Sequence, residues 1–277
     1  MPVGRVLLFL VLYGHEDKGG FSIPSYINIE TGEIIEDVRY LITDRFLSTS
    51  KENSKYKSID SFIFLNFKKE YLNIDKSIFT QSEIARIIYI SAFLKNENRL
   101  MLSERVPLTI DSLKKKMNLN DKVFKRFLKK IFDFQIVVNK DDDLYFDRKI
   151  AFFGGIPRKS KYNFTRLYSE NFQYIYENSM AREHKKIACL LCLIPYINMK
   201  YNILCTNIFE TEIEKIQPLN QKDIGYILGY SKQGTIDILK YLENLKLKNQ
   251  EPVISKIENL YLVNKSVIYA GNSFDII

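Results

Sequence analysis

A fourteen-residue pattern of caps, apolar positions and helix stops recurs in this chain. Pro107-Leu108-Thr109 through Met117-Asn118-Leu119-Asn120 aligns without gaps on Pro218-Leu219-Asn220 through Leu228-Gly229-Tyr230-Ser231. Each copy opens on a residue able to cap a helix and carries an apolar residue four positions later (Leu113, Ile224). It then reaches an Asn or Gly suited to ending that helix and supplies a second cap. The register continues, with Phe127, Leu128 and Ile131 falling on Ile238, Leu239 and Leu242. Further on, Leu144 to Gly155 aligns without gaps on Leu260 to Gly271. Recurrence within one sequence is far harder to produce by chance than a single match, so two copies of one folding unit are expected.

The elements around the first copy name the unit. Thr80 with Glu83 has capping-box spacing ahead of a helix whose buried side is Ile84, Ile87, Ile88 and Phe93. A short apolar strand, Leu100 to Leu102, follows. Thr109 then caps a helix over Ile110 to Met117, and Asn120 caps another from Asp121 to about Phe132. Ile136-Val137-Val138, a polar turn at Lys140 to Asp143, and Leu144-Tyr145-Phe146 close the unit as a hairpin. Helix, strand, helix, turn, helix, hairpin is the order of a winged helix-turn-helix. Before it, the apolar run Val6 to Tyr13, the alternating Tyr26 to Ile29, the turn signal Glu30 to Glu33 and the return at Ile34-Ile35 read as strands. Ser48 to Ser58 reads as a polar loop, and Phe62 to Leu65 as a further strand. The expected architecture is α+β, two tandem winged helix-turn-helix domains with an N-terminal β-rich segment. Its divisions are 1–75 for that segment, 76–156 for the first domain, 157–180 for a basic linker and connecting helix, and 181–277 for the second domain.

Several chemistries are excluded. With only His15 and His184 in 277 residues, neither in a nucleophile setting, the sequence supports no Ser/His/Asp or Cys/His centre and no paired-histidine metal nickase. Gly154 to Ser160 approaches a phosphate loop, but Arg158 stands where that loop needs glycine beside the lysine. The protein is therefore expected to be non-enzymatic, with no cofactor. The eight-residue run at Val6 to Tyr13 is far short of the roughly 20 residues that span a bilayer, so no membrane association is expected. Three cysteines make no disulfide framework and fit a reducing cytoplasm. Cys189 and Cys192 form a C-x-x-C with His184 and Cys205 nearby, but Ile187 to Pro195 is apolar all round, which favours core packing over zinc.

The charge is concentrated. The formal net charge is +8, and between Leu113 and Lys130 stand Lys114, Lys115, Lys116, Lys122, Lys125, Arg126, Lys129 and Lys130 against the single acid Asp121. On a helical wheel Phe124, Phe127, Leu128 and Ile131 share one face, leaving Lys122, Lys125, Arg126 and Lys129 on the other. This gives a recognition helix with an apolar back and a cationic front, with Asn120, Lys114 and Lys130 as further candidate DNA contacts. The acidic tip Asp141-Asp142-Asp143 reads as turn chemistry. In the second unit the aligned front is Gln233, Ile236, Asp237 and Lys240, nearly neutral. Gln233 is a candidate adenine reader, Ile236 lies on the same front, and Lys232 and Lys240 are candidate phosphate contacts. Between the units a helix is expected over Thr165 to Met180. Its stripe of Tyr168, Phe172, Ile175 and Ser179 leaves two readings open, internal packing or contact with a second copy in a homodimer.

On these residues the chain resembles the winged-helix replication initiators and related regulators of plasmids and phages, often loosely grouped with MarR-type proteins. The likeness is carried by Phe62 to Leu65, by Leu119 to Ile131 and by Leu144 to Gly155. In the second half it is carried by Pro195-Tyr196-Ile197-Asn198, Asn202-Ile203-Leu204-Cys205 and Val267-Ile268-Tyr269-Ala270-Gly271-Asn272. It covers roughly Phe62 to Asn272. The resemblance implies a sequence-specific double-stranded-DNA-binding protein of a mobile element, with replication or transcription proteins as partners. A replication initiator is the first reading, a repressor the alternative, and a phage adaptor using winged helices for protein contacts the third.

Overall fold

The computed structural model describes residues 9–12, 25–28, 34–35, 61–68, 71–72, 74–154 and 163–271. The chain divides into two compact bodies, Met1–Lys57 and Ser58–Asp275. In the first, β1 (Phe9–Leu12), β2 (Ser25–Asn28) and β3 (Ile34–Ile35) form an antiparallel sheet in that order, with Tyr26 opposite Ile35 and Ile27 opposite Ile34. The alternating strands expected there are present. The turn at Glu30 to Glu33, the Ser48 to Ser58 stretch and most of Gly154 to Ser160 lie outside the described residues.

The second body is mixed helix and sheet, as an α+β chain should be. Its elements run β4 (Phe62–Lys68), β5 (Tyr71–Leu72), α1 (Gln81–Ser91), α2 (Ile110–Met117), α3 (Asp121–Asp133), β6 (Val137–Lys140), β7 (Asp143–Phe146), β8 (Ala151–Phe152), β9 (Asn163–Tyr168) and α4 (Ser169–Glu177). They continue with α5 (His184–Cys192), α6 (Gln221–Leu228), α7 (Lys232–Asn244), β10 (Ile254–Ile257), β11 (Leu260–Val263) and β12 (Ile268–Tyr269).

Local chemistry explains where the helices begin and end. Thr80, Thr109 and Asn220 each accept from the backbone N–H three residues on, while Glu83, Ser112 and Asp223 reach back to the cap, completing three capping boxes. Asn120 accepts from the Val123 N–H, and Ser231 from that of Gly234, starting α3 and α7. The preceding helices stop on left-handed residues, Asn118 at φ 48° and Gly229 at φ 71°, types that tolerate that conformation. The three-residue turns between α2 and α3 and between α6 and α7 are thus the same device twice.

One sheet joins the two copies. β4 pairs along one edge with β8 and β5 and along the other with β9, which pairs in turn with β12, all antiparallel. Each copy contributes a strand before its helices (β4, β9) and a strand after its hairpin (β8, β12). The Asn66 N–H donates to the Ile150 carbonyl as that of Tyr168 donates to Val267, so Leu65 corresponds to Leu167 and Ile63 to Thr165. Leu65 lies opposite Thr165 and Ile63 opposite Leu167, pairs that exchange under this correspondence. The copies are therefore related by a local two-fold axis through the β4–β9 pair. A single hydrophobic core, from Ile63 and Leu65 through Ile87, Phe127, Phe172 and Leu190 to Leu242 and Ile268, runs through both.

Four sequence expectations change. The expected helix from Thr165 begins as strand β9, because Phe164 to Tyr168 pairs along β4, and the helix proper spans only Ser169–Glu177. Phe172 and Ile175 of its stripe are fully buried, and the Ser179 hydroxyl lies 3.1 Å from that of Tyr241, so the stripe packs internally. β4 belongs with the helical body, not with the N-terminal sheet, so the expected boundary at residue 75 falls too late. Leu100 to Leu102 makes single bridges to Leu94 and Pro107 without forming a named strand. Finally, the ungapped hairpin alignment is one residue out. The Leu100 N–H donates to the Leu144 carbonyl, and the Leu204 N–H to that of Tyr261, not Leu260. Side chains alternate faces along a strand, so only this register matches the inward pair Leu144 and Phe146 with Tyr261 and Val263.

Candidate nucleic-acid interface

Helix α3 is amphipathic in the way its sequence requires. Phe124, Phe127 and Ile131 are buried in the core, with Leu128 half-buried, and the Arg86 guanidinium of α1 lies over the Phe127 ring at 5.8 Å. Lys122, Lys125, Arg126 and Lys129 are all exposed on the opposite side. Their ammonium and guanidinium groups form a row of donors on the helix that follows a tight turn, with a β-hairpin next in the chain.

The rest of the basic cluster is used within the fold. Lys130 pairs with Glu83 at 2.8 Å and lies over the Phe79 ring at 5.0 Å, fastening α3 to α1. Burial would raise the Glu83 carboxyl, but the Lys130 ammonium and the donors of Thr80 outweigh it and hold it below its usual range. Lys114 pairs with Asp121 at 2.8 Å across the turn, and Lys116 with Glu177 at 3.1 Å. The Lys114 hydrogen bond and charge lower the Asp121 carboxyl. Asn120 spends its side-chain oxygen on the α3 cap. Of the sequence candidates in the first unit, Lys122, Lys125, Arg126 and Lys129 thus make one surface, while Lys130, Lys114 and Asn120 have structural work.

The hairpin tip explains its aspartates. Asp141 and Asp142 both have positive φ, 51° and 66°, as a two-residue hairpin turn of matching twist demands, and Asp143 is ion-paired with Arg99. One of the three acids is thereby neutralised.

In the second unit, Gln233 donates to Asp237 at 2.9 Å on the exposed face of α7, Ile236 is half-buried, and Lys240 is exposed. Asp237 stands where the first unit presents Arg126, so the two fronts differ in sign. Lys232 lies apart from that front. It lines a hollow of about 570 Å³ with Lys222 at the start of α6, Lys256 on β10, and Gln221, Asn259 and Tyr261. Sequence reading missed Lys222 and Lys256, which correspond to Asp111 and Asn139 in the first copy. Comparing the copies position by position exposes the reversal, provided the hairpins are in the correct register.

Helix α5 is the core helix expected around Ile187, with Cys189 and Cys192 buried on it and Cys205 buried beyond. Burial pushes the Cys189 thiol up to about 12 and the Cys205 thiol up to about 11. Such thiols are poor nucleophiles and poor ligands at neutral pH. Among the described residues, no helix is long and apolar enough to cross a membrane. No family model, no curated protein and no solved structure matches the chain.

Proposed function

We propose that this protein binds double-stranded DNA through two winged helices and acts, without enzymatic activity, as a replication initiator of a mobile element. The observation that carries the reading is the front of α3. There, four cationic side chains stand exposed on the second helix of a helix-turn-helix while the opposite face is locked into the core. In such a motif this helix enters the major groove, where Arg and Lys donate to guanine O6 and N7 and neighbouring cations meet phosphates. The two-fold relation of the copies and their shared core hold the two reading helices rigidly with respect to each other. That arrangement suits a site with two halves about one helical turn apart, roughly 34 Å.

Genome-wide immunoprecipitation of the tagged protein tests the reading. A single peak at an origin supports an initiator, and a set of promoter peaks supports a repressor instead. No enrichment anywhere in the element that encodes it removes DNA binding and leaves an adaptor working through protein contacts.

A further inference from the structure

The hollow of the second unit has the opposite chemistry to the same place in the first. Its three cations, Lys222, Lys232 and Lys256, come from three different elements, and in the first copy their positions hold Asp111, Asp121 and Asn139. Asn259 at the hairpin tip corresponds to Asp142. Where the first unit has the bulky Lys114 and Phe124, the second has Gly225 and Thr235. The small pair is enforced, since a Cβ on Gly225 would sit 2.7 Å from the Thr235 hydroxyl oxygen. In the first copy Lys114 and Asp121 satisfy each other, which leaves no cationic opening.

Lys222 and Lys232 form no ion pair among the described residues, and the Lys256 ammonium lies over the Tyr261 ring at 5.7 Å. The side-chain nitrogen of Gln221 is buried with no hydrogen-bond partner. The nearby acid Asp223 is turned away from this role, its carboxylate accepting from the Asn220 N–H at 3.0 Å. No acidic residue stands in the first turn of α7, which begins at Lys232 beside the hollow. A volume of about 570 Å³ is ample for one phosphate group with its attached sugar. Three lysines and a helix start lining one concavity call for a multiply charged anion rich in acceptors.

We propose that this hollow binds a phosphate ester of nucleic-acid type, and that the second unit meets polyanion here and not along its neutral α7 front. The proposal rests on the DNA reading only for the source of the phosphate, a DNA backbone or a free nucleotide. The test uses the full chain and two double variants. K222D/K232D writes the first copy's residues into the second, and both substitutions place acids at helix N-termini, where they favour the fold. K222Q/K232Q removes charge without repulsion. Three probes are titrated: a 30-base-pair duplex by fluorescence anisotropy, and deoxyadenosine monophosphate and inorganic pyrophosphate by calorimetry. Duplex affinity is expected to fall at least tenfold with the Gln variant and further with the Asp variant, at unchanged melting temperature. If the duplex responds and the small anions give no heat, the source is the backbone. If nucleotide or pyrophosphate binds and both variants abolish it, the hollow is a free-nucleotide site, and this stands even where wild type ignores duplex and the DNA reading fails. Variants indistinguishable from wild type toward all three probes overturn the proposal, and they leave the DNA reading intact if the duplex still binds.

Discussion

The Asn98 side-chain amide donates to the carbonyls of Phe146 and Ala151, and the Asn202 amide donates to those of Val263 and Ile268. Both residues are buried, both have φ 60°, and each ties the end of its own hairpin to its own return strand. Asparagine tolerates the left-handed conformation and supplies two donors from one short side chain, which no aliphatic residue can do.

Replacing either should therefore cost more than its size suggests. Asn98→Ala or Asn202→Ala leaves two buried carbonyls without donors and keeps a β-carbon in the left-handed region without the side-chain hydrogen bonds that let asparagine hold that conformation. About 2 to 4 kcal/mol of stability should be lost in urea unfolding. Glycine at the same positions relieves the backbone strain but not the lost bonds, so it should destabilise by roughly 1 kcal/mol less than alanine. Equal effects of Ala and Gly would show that the backbone conformation carries no strain.

The helical part of the fold was legible because caps and periodicity are local signals: Thr109 and Asn120 mark the starts of α2 and α3, and Asn118 marks a stop. Strand β9 was not legible, because Phe164 to Tyr168 alternates too briefly to distinguish a strand from the first turn of a helix. Its pairing partner β4 lies about a hundred residues away. The one-residue slip in the hairpin alignment has the same origin: a strand's register is set by its partner, and Leu204, which fixes that of Tyr261, lies outside the aligned stretch. At the interface the sequence identified the exposed front of α3 but overcounted the charge around it, since Lys130 finds Glu83, which only the tertiary fold brings near, and Lys114 finds Asp121 across the α2–α3 turn.

The buried cysteines give a second prediction. Cys189 and Cys192 sit in the core with thiols raised above their ordinary range, so a thiol reagent such as dithionitrobenzoate at pH 8 should leave both unmodified until denaturant is added. Alanine at both positions should lower stability by about 1 to 3 kcal/mol through lost packing, and chelator should have no effect. One equivalent of zinc by elemental analysis would overturn the packing role.

His184 predicts an acid transition. Its ring stacks on Tyr176 at 4.1 Å, and Tyr176 stacks on Tyr89 at 3.9 Å. Burial, and then the Arg86 charge, lower its pKa from 6.5 to about 4, while the Ser179 backbone and Glu183 oppose them more weakly. A base with a depressed folded-state pKa stabilises the fold fully above the unfolded value and loses that contribution as pH falls through 6.5 toward about 4. The melting temperature should drop across that window. His184→Phe, which keeps the ring stack but cannot titrate, should flatten the drop; an unchanged slope would place the transition on carboxylates.

Salt dependence measures how many of the exposed cations work. If Lys122, Lys125, Arg126 and Lys129 each meet a phosphate or displace a counterion, log affinity for duplex should fall against log salt with a slope of about −4. A slope near zero would make the front a merely solvated face.

The two units should not contribute equally, because their fronts differ in sign. Arg126 is exposed and without an ion pair among the described residues, whereas its counterpart Asp237 is an acid already accepting from Gln233. An acid facing phosphate repels, and Gln233 must leave Asp237 before it can address a base. Lys122→Ala with Arg126→Ala should therefore abolish specific binding, with each lost base contact costing roughly 1 to 3 kcal/mol. Gln233→Ala with Lys240→Ala should weaken binding far less and leave the protected footprint unchanged in length, because the second copy meets polyanion in its hollow and not along this front. All four side chains are exposed, so neither double variant should disturb the fold, and the comparison can be read directly as affinity. Equal losses would mean that the two units are energetically equivalent despite their charges. A loss confined to the second pair would move the reading head from α3 to α7.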